Sequence, residues 1–219
     1  RGFLEESMLR RAARLGLVVF RTVDLREFAH DARRTADDRP YGGGPGMIMK
    51  PELWFEAIEA VRTPEARVIL MTPSGRRFRQ AEASRLARER HLIFICGHYE
   101  GIDERVREAL VTDELSIGDY VLTNGVLPAA VVVDAVVRLL PGVLGGGEEA
   151  VRSESFSEGL LEAPQYTRPA VYRGMAVPAV LQGGNHGEMD AWRARQALDR
   201  TARRRPDLLG STRTVKKGQ

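Results

Sequence analysis

The sequence contains one cysteine, Cys96, so no disulfide can form within the chain, as suits a reducing cytosol. No apolar run approaches the ~20 residues that a membrane helix needs, and the first residues lack the apolar core of a signal peptide. The four histidines lack metal-ligand spacing, so we predict no metal site. We therefore expect a cytoplasmic protein that does not contact a membrane.

The glycine-rich stretch DDRPYGGGPGMIMK at residues 37–50 lacks the known nucleotide-binding patterns. No G-x-G-x-x-G follows a buried strand and no G-K-[ST] follows the glycines, which disfavours a nicotinamide oxidoreductase or a P-loop enzyme. Tyr41 and residues 47–49 give the stretch apolar content that a simple linker does not need. We interpret it as a loop whose bare backbone lets a ligand or a partner chain approach closely.

Lysine is scarce, and the net charge of +3 is unevenly distributed along the chain. Over residues 191–219, nine basic residues, mostly arginine, stand against two aspartates. Arginine carries a planar group that suits phosphates and stacks on bases. The basic end therefore fits nucleic-acid binding, and it fits a solvent-exposed helix face equally well.

Hydrophobic patterning predicts an α/β fold in which short buried strands alternate with helices and form a mostly parallel sheet. The predicted strands cover residues 17–25, 67–71, 91–96 and, with its loop, 115–125. The predicted helices cover residues 4–15, 51–62, 80–90, 128–140 and 190–205, with a short helix after Asp103. Residues 72–75 (TPSG) are predicted to form a turn.

A glycine-rich stretch from residue 145 predicts a domain boundary, because the composition changes beyond it. We expect one domain over residues 1–144, a flexible linker over 145–161, and a small, mainly α-helical domain over 162–219. The basic helix would belong to this second domain.

Three segments, 70–75, 95–103 and 116–125, share one design, since each leaves a strand and turns at a glycine. The carboxyl ends of parallel strands meet at one edge of a sheet, where ligands bind. Backbone groups exposed there suit an adenine, and the segments hold no basic residue for a pyrophosphate, which favours a cofactor without phosphates. Apolar walls would come from Pro73, Tyr99, Tyr120 and Leu122.

Several acidic residues and the cysteine admit both a catalytic and a structural interpretation. Asp103 and Glu104 fit the start of a helix better than an acid/base pair, whereas the role of Glu100 stays open. Cys96 fits a small core residue, because a lone cysteine without a matched histidine is weak evidence for a nucleophile. Glu154, near the flexible glycine run, can bring a mobile carboxylate over a site, although such acids more often start helices.

Seven motifs follow one another along the chain, within a match that covers about residues 4–209. Several are long and unusual: DDRPYGGGPGM, CGHYEGIDERV, SIGDYVLTNG with the following LPA, RLLPGVLG, SFSEGLLEAPQYTRP, VPAVL with GNH, and RRPDLL. Together they resemble bacterial tRNA (guanine-N1)-methyltransferases of the TrmD type, in the SPOUT superfamily. The resemblance implies a deep trefoil knot in the sheet domain and S-adenosylmethionine bound in that knot. It also implies a homodimer with its active site at the subunit interface and tRNA bound across both subunits.

The implied activity is methyl transfer from S-adenosylmethionine to N1 of the guanine immediately 3′ of the anticodon. The resemblance adds a dependence on Mg²⁺, for which the sequence shows no ligand cluster. It further implies that the loop over residues 41–49 and the basic helix grip the tRNA, and that the linker orders when tRNA binds. Two alternatives stay open: a SPOUT methyltransferase acting on ribosomal RNA, and a non-catalytic RNA-binding protein.

The resemblance also gives roles to particular residues. Glu154 matches the family's catalytic Asp, just before Ser-Phe, and would take the proton from N1. Arg138 matches an arginine near guanine O6 and would stabilise the negative charge that develops there. The cofactor pocket would be formed by Leu70, Thr72, Pro73, Gly75, Gly97, Tyr99, Glu100, Ile117, Gly118, Asp119, Tyr120, Val121, Leu122, Gly125 and Pro128.

The sequence departs from the family pattern at several positions. Glu154 is one methylene longer than the usual Asp, and Glu162 also replaces an Asp. Asn124 and Val126 stand where the family usually has Gly and Glu, at the lip of the expected pocket. The family's first strand, which precedes Leu4, is absent from this chain, so we expect the sheet to lack a strand.

Overall fold

The computed structural model describes residues 2–145 and 153–210, and the chain divides into two compact units, Arg1–Gly145 and Gly146–Gln219. The predicted domain limits and the linker over 145–161 remain predictions. Residues 146–152 of that linker lie outside the described residues, as does the end of the basic region beyond residue 210.

The first unit is built on a parallel sheet with helices around it, which confirms the α/β class expected from the sequence. The sheet has the order β4-β3-β5, with β3 (Arg67–Arg77), β4 (Leu92–Ile95) and β5 (Asp113–Ser116). A separate antiparallel pair joins β1 (Asp37–Asp38) and β2 (Ile48–Met49). The helices are α1 (Ser7–Arg14), α2 (Pro51–Glu59), α3 (Gln80–Leu86), α4 (Glu104–Leu110) and α5 (Val126–Val137), with 3-10 turns at Gly2–Glu5 and Leu25–Phe28.

Both faces of the central strand are covered by helices. Side chains alternate across a strand, so Val68 and Leu70 pack in a cluster with residues of α2 and α4. Ile69 and Met71 pack on the other face with residues of α3 and α5. Burial on both faces explains why the strand is a continuous apolar run without polar alternation.

The strand predicted over residues 17–25 does not form. Val18 and Phe20 pack near α1 while Val19 is exposed, so burial alternates along this segment as it does in a strand. A strand also needs a neighbour for its backbone N–H and C=O groups, and no described strand pairs with this segment. Hydrophobic patterning alone therefore predicted the wrong element.

The turn predicted at residues 72–75 is also wrong, because these residues are an excursion within one long strand. Strand β3 runs on to Arg77, and both Met71 and Arg76 stand in register with Leu115 of β5. Proline and glycine favour a turn at this point, but pairing with β5 resumes after it. The four residues between Met71 and Arg76, loop 72–75, thus form a wide bulge inside β3 and not a turn that ends the strand.

The described part of the second unit contains a short hairpin and three helices. The elements are β6 (Val171–Tyr172), β7 (Met175–Ala176), α6 (Ala179–Gln182), α7 (His186–Arg204) and α8 (Pro206–Gly210). Helix α7 contains nearly all of the predicted basic helix and begins earlier than expected. The Asn185 side chain accepts a hydrogen bond from the Glu188 N–H at 3.3 Å, and this cap fixes the start of α7.

Candidate active site

The glycine-bearing segments converge at the carboxyl edge of the parallel sheet. The Gly125 N–H donates a hydrogen bond to the Gly97 carbonyl at 2.9 Å, and His98 forms a β-bridge with Asn124. Because β3 lies between β4 and β5, the chain leaving β5 crosses the end of β3 to reach the end of β4. The segments brought to this edge are 70–75 in β3, 97–100 after β4 and 117–122 after β5.

Two glycines permit this convergence, because backbone passes backbone at short range. A Cβ atom on Gly75 would lie 2.5 Å from the Leu115 nitrogen. A Cβ atom on Gly125 would lie 2.8 Å from the Cys96 Cα. A larger residue at either position would push the segments apart. Both glycines were predicted to contact a cofactor, and the structure gives them a role in chain packing as well.

The predicted walls of the site are accessible. Tyr99, Tyr120 and Leu122 expose 59%, 55% and 39% of their surfaces. Asp119, a predicted cofactor contact, forms an ion pair with Arg77 at the end of β3. Arg77 was not predicted as part of the site, because it lies two residues beyond Gly75, where the predicted segment 70–75 ends.

The glycine-rich loop belongs to the same edge, which the sequence did not indicate. Residues 47–49 run beside the segment after β4, where the Glu100 N–H donates to the Met47 carbonyl and the Met49 N–H to the Gly101 carbonyl. A Cβ atom on Gly46 would overlap the Glu100 carboxylate, so this glycine makes room for the Glu100 side chain. The glycine-rich loop therefore supports a predicted wall of the pocket.

Glu154 lies in a turn that is fastened to helix α7. Phe156 has a left-handed backbone (φ 74°), and its N–H donates to the Leu160 carbonyl at 2.7 Å. The Arg205 guanidinium lies 5.7 Å from the centre of the Phe156 ring. The Leu161 N–H donates to Thr201 Oγ1 at 2.9 Å. The candidate base thus belongs to a structured turn within the second unit.

Arg138, the other candidate catalytic residue, ends helix α5 in the first unit. It is half-buried, and its N–H continues the helix by donating to the Asp134 carbonyl at 3.2 Å. A cation is favoured at this end of a helix even without a catalytic role. Arg138 and Glu154 belong to different units, so their meeting in one site stays a prediction.

The structural interpretation holds for Asp103 and Glu104. The Asp103 side chain caps α4 by accepting a hydrogen bond from the Arg105 N–H at 2.9 Å. Hydrogen bonds from the Arg105 side chain hold the pKa of the Asp103 carboxyl below its ordinary value. Glu104 forms an ion pair with Arg107. Both carboxylates therefore serve the start of the helix.

Cys96 is a core residue and a poor nucleophile. It packs at the edge of the cluster between the sheet, α3 and α5. Burial raises the pKa of its thiol to about 11. Because the thiolate is the reactive form, only a very small fraction of this side chain can react at neutral pH.

No three His, Cys, Asp or Glu side chains within residues 2–145 and 153–210 are grouped so that they could hold a metal ion. The dependence on Mg²⁺ that the resemblance implies therefore stays a prediction without assigned ligands. In the same part of the chain, no helix is long and apolar enough to cross a membrane.

Comparison with known proteins identifies the family. The family model for tRNA (Guanine-1)-methyltransferase TrmD matches residues 1–211. The chain belongs to this family. It is 57% identical over 211 residues to the tRNA (guanine-N(1)-)-methyltransferase of Anoxybacillus flavithermus, covering 95% of this chain and 86% of that protein. The enzymes of the same name from Geobacillus kaustophilus and Bacillus subtilis are 56% and 53% identical, with the same shares covered. The resemblance seen in the sequence is thus confirmed.

Within this TrmD-family chain, the contacts of the individual cofactor residues stay predictions. The structure places the three segments together, and it adds the glycine-rich loop and Arg77 to their surroundings. The position of the glycine-rich loop had a signal in the sequence. The apolar residues 47–49 after the glycines have the pattern of a short strand, and a strand needs a neighbouring segment with which to pair.

We predict that Gly75→Ala lowers the free energy of unfolding by about 1–3 kcal/mol, because the new methyl group overlaps the Leu115 backbone. Denaturant unfolding of the two proteins measures this difference. Gly2→Ala is the matched control, since nothing lies within 4 Å of a Cβ atom there. Equal stability of the two variants would contradict the close approach at Gly75.

Proposed function

We propose that the protein transfers a methyl group from S-adenosylmethionine to N1 of the guanine immediately 3′ of the anticodon in tRNA. The observation that carries the proposal is the meeting of three glycine-bearing segments at one edge of the sheet, in a chain of the TrmD family. The names of the relatives favour tRNA over ribosomal RNA as the substrate.

The residues at this edge fit S-adenosylmethionine. Backbone groups of residues 70–75, 97–100 and 117–122 can read the adenine edge, and the exposed Tyr99 and Tyr120 can cover its faces. The cofactor carries no phosphate, so no cluster of basic residues is required. When bound, it supplies an electrophilic methyl group on a sulfonium centre.

Glu154 then acts as the general base. Guanine N1 carries a proton at neutral pH and is a poor nucleophile while it keeps that proton. The Glu154 carboxylate accepts the proton as N1 forms its bond to the methyl carbon and the bond from that carbon to sulfur breaks. Arg138 faces the guanine O6 atom, where negative charge develops, and stabilises that charge.

We also propose that the chain around the pocket forms the deep trefoil knot of the SPOUT superfamily. The support is the path of residues 117–125, which pass the end of the central strand β3 and reach Gly97 beyond it. Such a path is unusual, because chains rarely thread their own loops. Close passage at Gly75 and Gly125 is what a threaded chain would need.

A homodimer with its active site at the subunit interface belongs to the same proposal. Apolar side chains between residues 120 and 131 are exposed in the first unit, although α5 is otherwise packed on the sheet. Exposed apolar surface of this kind marks an interaction site. The exposed residues are Tyr120, Val121, Leu122, Val126, Leu127 and Val131.

Leu127→Glu is expected to convert the dimer to a monomer at micromolar concentration, because an unpaired carboxylate is costly to bury. Sedimentation equilibrium measures the mass. Leu15→Glu, at a similarly exposed leucine after α1, is expected to leave the dimer intact. A wild-type chain that sediments as a monomer would contradict the proposed assembly.

Glu154→Gln is expected to lower turnover by about 10²–10⁴-fold, the usual contribution of a positioned general base, with little change in cofactor affinity. Glu158→Gln, in the same turn, is the control and should keep wild-type turnover. Glu154→Asp keeps the carboxylate and should retain activity.

The assay for these variants is transfer of labelled methyl to tRNA transcripts with and without the target guanine, and to ribosomal RNA. Labelling of ribosomal RNA alone would overturn the tRNA assignment. Unchanged turnover in Glu154→Gln would remove Glu154 from its role.

The basic face of α7 and the loop over residues 41–49 would bind the tRNA. Arg203 and Arg204 are exposed at the end of α7, and Tyr41 is fully exposed before the glycines of the loop. An exposed aromatic ring can stack on a base, while arginines contact phosphates. Since tRNA is made and used in the cytoplasm, we propose that location for the protein.

Replacing both Arg203 and Arg204 by Gln is expected to weaken tRNA binding and to reduce the slope of log K against log salt. The slope is expected to fall by about 0.7–0.9 for each phosphate that the variant no longer neutralises. Filter binding over a range of salt concentrations measures it. Arg10→Gln with Arg11→Gln, an exposed pair on α1, is the control. Equal slopes for the two double variants would contradict a role for α7 in tRNA binding.

A further inference from the structure

Asp113 is a buried carboxylate that the proposed reaction does not use. It is the first residue of β5, and only 6% of its surface is exposed. Its Oδ2 atom accepts a hydrogen bond from Arg67 Nε at 3.0 Å, and Oδ1 accepts from Arg85 Nη2 at 2.7 Å and Arg76 Nη2 at 3.3 Å. Burial opposes ionisation of Asp113, but the Thr112 hydroxyl and the arginines outweigh burial and lower its pKa.

A second carboxylate, Glu82 of α3, binds two of the same arginines. Its two oxygens accept hydrogen bonds from Arg76 at 3.2 Å each, and Oε2 also accepts from Arg85 at 3.2 Å. Arg76 is therefore held by carboxylates from two different elements, β5 and α3. A planar guanidinium suits this arrangement, since it presents several N–H donors in fixed directions.

Arg76 is also the residue at which β3 returns to the sheet after loop 72–75. Met71 before the loop and Arg76 after it stand opposite the same residue, Leu115. An open cavity of about 350 Å³ lies beside this return, lined by residues 74–76, 107 and 111–114. The backbone of β3 pairs with β5 again at Arg76 and Arg77. The Arg76 side chain, which is exposed, forms its ion pairs with Asp113 and Glu82 at this same point.

We propose that Asp113 and Glu82 act through Arg76 as a clamp that holds loop 72–75 in the shape required to bind S-adenosylmethionine. Asp113 is a positioning residue in this arrangement, since it acts through Arg76 and needs no contact with the cofactor. The inference rests on the proposed function, in which this loop is one of the three cofactor segments. Arg67 binds the same carboxylate from the beginning of β3, outside the loop.

The test compares Arg76→Gln with Arg67→Gln in the full chain. By isothermal titration, Arg76→Gln is expected to weaken S-adenosylmethionine binding about tenfold or more, because small displacements of positioning groups cost up to ~10²-fold. Its affinity for tRNA is expected to stay at the wild-type value. Arg67→Gln is expected to lower the Tm and keep wild-type cofactor affinity. Equal losses of cofactor affinity in the two variants, or none in Arg76→Gln, would overturn the clamp.

Hydrogen exchange without cofactor gives a readout that is independent of the proposed function. The amides of Thr72, Ser74 and Gly75 are expected to exchange faster in Arg76→Gln than in wild type, and at the wild-type rate in Arg67→Gln. Arg76→Lys keeps the charge but loses the planar guanidinium with its several N–H donors. We therefore expect exchange rates between those of wild type and Arg76→Gln. Unchanged exchange in Arg76→Gln would overturn the clamp even if cofactor affinity fell.

The two proposals fail in different ways. A wild-type chain without affinity for S-adenosylmethionine would overturn the proposed function and, with it, the purpose assigned to the clamp. The exchange comparison would still decide whether Arg76 holds loop 72–75.

Discussion

The passage of backbone against backbone at Gly75 and Gly125 is the constraint on which the candidate site depends. It lets the loop inside β3 lie against Leu115, and it lets the chain after β5 reach the end of β4. Side chains at these two positions would separate the segments, and the edge of the sheet would then offer no common surface to a ligand. At these two positions, the absence of a side chain first allows two backbone segments to pass each other closely, and only then allows a ligand to approach.

The sequence pattern was sufficient to predict those elements of the fold that depend on interactions between residues close together in the chain. The buried strand at 67–71 and the cap at Asp103 were predicted because apolar runs and capping chemistry act over a few residues. The strand expected at 17–25 and the turn at 72–75 were wrong, because pairing with a distant segment decides both. The site divides in the same way. Its three glycine-bearing segments were predicted from the sequence, whereas Arg77, the Asp113 cluster and the position of the glycine-rich loop beside the site were missed, because contacts between distant segments decide them.

The candidate base is structurally linked to the surface assigned to tRNA. The turn that carries Glu154 contacts α7 and its C-terminal end through the hydrogen bond from Leu161 to Thr201 and the contact of Arg205 with the Phe156 ring. The segments assigned to the cofactor lie in the other unit. In the proposed reaction, the residues assigned to the methyl donor therefore belong to the first unit, and the proposed base belongs to the second.

The ion pairs around Asp113 respond to heat differently from the apolar clusters on the two faces of the sheet. Hydration of charged groups becomes less favourable as temperature rises, so the penalty for burying these groups falls, while hydrophobic stabilisation levels off. On warming, the ion pairs of the buried Asp113 should therefore contribute a larger share of the free energy that holds β3 against β5.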